Sequence, residues 1–105
     1  MSWLYLLIAS IFEVGWPFGM KMASISQSKI GWIIFAIITM TLSGAFLYIA
    51  QKSIPIGIAY AIWTGIGAVC TFILGVCVFH DTINTVKIFG ASLIILGVIL
   101  LEISH

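Results

Sequence analysis

Charged side chains are scarce in this chain. Four lysines, no arginine and three carboxylates make up 7% of its 105 residues, where a soluble domain carries roughly a quarter. The whole basic set is Lys21, Lys29, Lys52 and Lys87, and the net charge is only +1. No basic patch can form, which excludes nucleic acid as a partner. Cysteine is nearly as rare: Cys70 and Cys77 stand seven residues apart in one apolar run, about 10 Å along a helix and beyond disulfide reach. They are expected to be small packing residues. No histidine, further cysteine or carboxylate accompanies them in that run, so neither a metal site nor any cofactor is expected.

What the chain has instead is apolar length. It is 63% hydrophobic with a mean hydropathy of +1.30. Apolar runs extend from Trp3 to Met22, Ile30 to Ala50, Ile56 to Phe79 and Val86 to Ile103, each near the roughly 20 residues a helix needs to cross the hydrocarbon. Short polar breaks join them, at Ser24 to Lys29, Gln51 to Pro55 and His80 to Thr85, as befits antiparallel neighbours. The expectation is an all-α membrane protein, one transmembrane domain over 1–105 with four spans. The first run is not expected to be a cleaved signal peptide, because no basic residue precedes it and a carboxylate sits at its centre. Four crossings put Lys21, Lys29 and Lys87 on one side, facing Lys52 and the amino terminus. That small bias leans toward termini outside the cytoplasm and leaves insertion in both orientations open.

Asp81 and Glu102 fall near the ends of apolar runs, where water reaches them, but Glu13 does not. It follows Trp3 by ten residues, about 15 Å along a helix and close to the bilayer midplane. An ionised side chain there costs several kcal/mol, so a carboxyl at that depth reads first as a binding site. The plain alternative is a protonated acid that hydrogen-bonds between helices. Ser10, Trp16 and Pro17 lie at i−3, i+3 and i+4 and share its helix face. Ser10 and Trp16 can donate hydrogen bonds to the carboxylate. Pro17 lacks the amide hydrogen that would bond the carbonyl of residue 13, which frees an acceptor or simply bends the helix.

Two other spans carry polar stripes. Tyr60, Trp63, Thr64 and Gly67 recur at i, i+3, i+4 and i+7 in the third run. An interfacial aromatic belt would sit at the span end, whereas Trp63 lies several residues inside, so the stripe is expected to wall a pocket. In the second run Thr39, Ser43 and Phe46 share a face, and Ser43 can either donate to Glu13 or glue helices together. Gly15 and Gly19 keep GxxxG spacing. Four thin helices hardly enclose a cavity for a buried acid. Association of at least two chains is therefore expected, with Gly90 and Gly97 of the fourth run at a contact.

With IFEVGW in the first run and PIGIAYAIWTGIGA opening the third, the chain resembles the small multidrug resistance family over essentially its whole length. Trp16 beside the acid and the string Trp63 to Ala68 look most like its guanidinium exporter branch. The resemblance implies an antiparallel dimer in the cell (inner) membrane that exports a small organic cation in exchange for protons. Guanidinium or substituted guanidinium ions come first, quaternary ammonium or multidrug cations second, and a heterodimer with a paralogue is a further arrangement the family uses. Carried over by position, Glu13 binds proton and substrate competitively, Trp16 and Ser43 hydrogen-bond to it, and Tyr60 and Trp63 line the pocket; the helix stripes add Thr39 and Gly67 as expected lining residues.

Three rivals stand beside that reading. The chain can be a membrane assembly subunit in which Glu13 only sets helix register. It can be a passive pore, although a lone acid among bulky aromatics makes a binding pocket more readily than a wet channel. Enzymatic hydrolysis is not expected, since neither His80 nor His105 lies at the depth of Glu13.

Overall fold

A computed structural model describes residues 2–104; His105 and the amino terminus, and the expectations attached to them, lie outside the described residues. The four apolar runs become four helices: α1 (Ser2–Ile25), α2 (Lys29–Ala50), α3 (Ile56–Val78) and α4 (Thr85–Ser104). At 20 to 24 residues each, they measure about 30 to 36 Å, the depth of a bilayer's hydrocarbon core. This is a multi-pass integral membrane protein. α1 runs three residues beyond the expected end at Met22, and Pro17 is accommodated inside it.

Local chemistry sets the helix ends. Lys29 Nζ donates to the Ala23 carbonyl at 3.1 Å, placing a cation at the carboxyl end of α1. Asn84 caps α4 by accepting the Lys87 amide at 2.9 Å. The hydroxyls of Ser2 and Ser53 hydrogen-bond to each other, tying the start of α1 to the α2–α3 turn.

The helices do not close into a square bundle. α1 packs most extensively on α2 and then on α3, α2 barely meets α3, and the backbone of α4 approaches α3 alone. The spatial order is therefore α2, α1, α3, α4, in a flattened body of 45 × 35 × 17 Å. Its radius of gyration, 14.7 Å, exceeds the ~13 Å expected for a globule of this length.

Close approach of α1 and α2 depends on small residues. A Cβ on Gly15 would stand 2.8 Å from Thr39 Cγ2, and one on Gly19 would stand 3.1 Å from the Trp32 carbonyl oxygen. The apolar core lies toward the amino end of α1, where Leu6 meets Ala50, Ile54, Ala59 and Ile62. Val98 and Leu101 of α4, both partly buried, pack against that core. No described residue of α4 is fully buried. The cysteines differ from expectation: both are exposed, Cys70 along the groove between α3 and α4 and Cys77 near the end of α3. In a flat assembly a small residue is not needed on an outward face, so its size does not predict burial.

Candidate functional site

α1 carries Glu13 into the seam with α3, where it is neither fully buried nor open. What admits it is the absence of a side chain opposite: a Cβ on Gly67 would stand 2.7 Å from Glu13 Cγ and 3.3 Å from its Cβ. One helical turn on, Trp16 Nε1 donates to Glu13 Oε1. A donor at i+3 on the acid's own helix is fixed by helix geometry alone, so it holds the carboxylate toward α3 without help from another element. Pro17, at i+4, brings no amide hydrogen to the Glu13 carbonyl and leaves that oxygen as a further acceptor beside the acid.

The carboxylate faces a cavity of about 290 Å³. Glu13, Trp16 and Pro17 line it from α1, and Thr64, Gly67, Ala68 and Thr71 from α3. Ala68 and Thr71 were not singled out in the sequence, yet the signal was there. The α3 stripe continues one turn past Gly67, and Thr71 is its next member at i+4.

The remaining expected site residues are placed differently. Ser10 is fully buried and donates to the Leu6 carbonyl of its own helix at 2.8 Å, not to Glu13. Ser43 is also fully buried, and its one proton goes across to the Ala9 carbonyl of α1 at 2.7 Å. Its oxygen then accepts from Trp63 Nε1 at 2.8 Å. The expected hydrogen bonds from Ser10 and Ser43 to the carboxylate are thus replaced by bonds to backbone carbonyls, because a hydroxyl has a single proton and each of these is already given. The relay Trp63, Ser43, Ala9 links α3, α2 and α1 at the carbonyl which, in an α-helix, receives the amide of residue 13. Ser43, backed by Trp63, thus meets the α1 backbone one turn before the acid and not its carboxylate.

Thr39 donates to the Phe35 and Ala36 carbonyls, both at 3.0 Å, and packs on Gly15 rather than on the cavity. Tyr60 is 56% exposed; its ring lies 5.3 Å from that of Trp63 and outside the Glu13 cavity. In the single chain, then, Gly67 and Trp16 meet the acid, while Tyr60 and Trp63 stand a turn or more away along α3. Gly90 and Gly97 are half-buried, and among the described residues a Cβ on either would meet no atom within 4 Å.

These features carry a chemical capacity. A carboxylate with one fixed donor, an adjoining carbonyl that lacks its i+4 amide donor and a cavity of a few hundred cubic ångströms can hold a small organic cation or a proton. Comparison with known proteins agrees with that scale. The family model described as Small Multidrug Resistance protein matches residues 1–94. A guanidinium exporter of Escherichia coli is 39% identical over 104 residues, which cover 99% of this chain and 98% of the relative. Guanidinium exporters of Salmonella typhimurium and Proteus vulgaris are 40% and 38% identical over the same length, covering 98% and 99% of those relatives.

Proposed function

This chain belongs to the small multidrug resistance family, transporters rather than enzymes, and from that premise we propose that it exchanges guanidinium or substituted guanidinium ions for protons at Glu13. Export of a small cation follows from the family and the relatives together. The ion, the proton coupling and the residue are the proposal.

The observation that carries it is the Glu13 carboxylate set opposite Gly67 at mid-helix, at a cavity of about 290 Å³. At about 290 Å³ the space lies at the lower edge of the roughly 300 to 1,000 Å³ that drug-sized ligands occupy, which is room enough for a small, planar cation. Guanidinium offers paired N–H donors that a carboxylate meets bidentately. One carboxylate cannot hold a proton and a cation well at once. Competition for it is sufficient for exchange, and no nucleotide is required. A gradient of one pH unit supplies about 1.4 kcal/mol, and 100 mV adds about 2.3 kcal/mol per net charge moved, enough for a tenfold or greater accumulation.

Two chains in antiparallel arrangement would complete the site. The surface of one chain, 6630 Å², exceeds the ~5,800 Å² expected of a globule of 11.4 kDa by about as much as one partner contributes to a standard interface. The bare face of α4 around Gly90 and Gly97 supports placing a contact there. Oppositely oriented copies would supply the inverted repeat through which larger transporters alternate access. A pair formed with a paralogue would serve the same geometry.

Proteoliposomes under an imposed pH gradient test the reading. Guanidinium and substituted guanidiniums are expected to drive saturable proton release, and a quaternary aromatic cation little. Guanidinium flux that neither saturates nor responds to the gradient would leave a pore or an assembly role in its place.

A further inference from the structure

A second cavity lies along the same seam, toward the carboxyl ends of α1 and α3. It measures about 210 Å³ and shares the lining residues Pro17 and Thr71 with the Glu13 cavity, so the two are neighbours along one seam. Lys21, eight residues after Glu13 and therefore about 12 Å further along α1, lies at its mouth with Phe18, Phe79 and Asp81.

The chain takes unusual trouble to put Asp81 there. α3 ends at Val78, and His80 turns the backbone with a φ of 57°, a conformation uncommon for a residue with a side chain. The reversal brings the Asp81 amide back to the Gly75 carbonyl at 3.0 Å, an oxygen that also accepts the Phe79 amide at 3.1 Å. The Asp81 carboxylate then lies over Gly75, where any Cβ would collide with it. Among the described residues that carboxylate takes no hydrogen bond and no ion pair, so it does not serve as a helix cap. Nearby, Lys21 Nζ sits 5.9 Å from the centre of the Phe79 ring, at the outer limit of a cation–π contact, and Phe18 backs that ring at 5.8 Å. The mouth of this cavity thus already holds a cation, tethered to α1 beside an unengaged carboxylate.

We propose that Asp81 and the Phe79 face form an outer cation site, at which an incoming guanidinium displaces the Lys21 ammonium before passing along the seam to Glu13. The proposal rests on the exchange reading above. It assigns Asp81 to recruitment and Lys21 to competition. The two residues should therefore shift the apparent substrate affinity in opposite directions, which a structural role for either would not do.

The test measures KM and kcat for guanidinium in proteoliposomes, with Glu13 intact. Because the site is exposed and screened, Asp81→Asn is expected to raise KM about fivefold with kcat unchanged, and Lys21→Gln to lower KM about twofold. Asp81→Glu should restore most of the loss. If Asp81→Asn does not fold, Gly75→Ala, whose methyl displaces the carboxylate, reads the same effect. An unchanged KM on removing or displacing the carboxylate, or a rise in KM with Lys21→Gln, overturns the outer site. Failure of the exchange reading itself would look different, as absence of gradient-driven flux in the parent protein.

Discussion

α1 and α4 are both apolar helices of membrane length, but they stand at opposite extremes of partnership. α1 is flanked by α2 and α3, holds the acid, and receives hydrogen bonds from across the interface. α4 leans on α3 at one end and leaves its glycines facing open space. The contrast teaches that hydrophobicity decides only that a helix enters the membrane. In lipid there is no hydrophobic force to bring helices together, so their neighbours are chosen by small residues and hydrogen bonds. α1 has both within the chain, whereas α4 can satisfy its small residues only outside it.

The sharpest way to break this contrast is at the acid. Glu13→Gln removes the charge and keeps the shape. Stripping one partner from a buried charge pair costs about 3 to 5 kcal/mol, so guanidinium exchange should fall at least a hundredfold while the helices and any dimer persist. Because protons and cation compete for one carboxylate, cation binding in the parent should weaken as pH falls. In Glu13→Gln that pH dependence should vanish. Undiminished exchange by the variant would take Glu13 out of the mechanism.

The same single methyl placed on each helix pair sharpens the comparison further. On Gly67 it would stand 2.7 Å from Glu13 Cγ, forcing the acid aside. Overpacking of this kind costs about 1 to 3 kcal/mol, so Gly67→Ala should reduce transport about tenfold, readable as a loss in kcat/KM. On Gly97 it would meet nothing in the same chain. Gly97→Ala should leave the helix content and thermal stability of dilute, dissociated chains unaltered. It should weaken association in detergent by about 1 kcal/mol, seen as a shift in the monomer–dimer equilibrium. An unaltered equilibrium would remove this face of α4 from the interface.

Much of the site could be read without coordinates, and the reasons differ by residue. Glu13 stood out because depth along a helix is simply residue count, and Trp16 reached it because i+3 neighbours share a face in any helix. Gly67 was recognisable as part of a stripe. The acceptors of Ser43 and Ser10 were not foreseeable, since one proton has several carbonyls within reach and only packing distances choose among them. Tyr60 belonged to the same stripe as Gly67 yet lies outside the cavity, because helix periodicity gives an angle around α3 and not the distance to α1. Asp81 read as an ordinary interfacial charge. Its turn back over Gly75 depends on a left-handed residue at His80 that no pattern in the chain announces.

Residue order settled that there are four membrane helices and that one of them carries an acid at mid-depth with a tryptophan beside it. These follow from local rules: apolar length against bilayer thickness, and the fixed pitch of a helix. Which helices touch, where Ser43 sends its proton, and that the cavities at Glu13 and at Asp81 adjoin along one seam were decided only when the helices packed. Those outcomes depend on interatomic distances between segments far apart in the chain, and no local rule contains them.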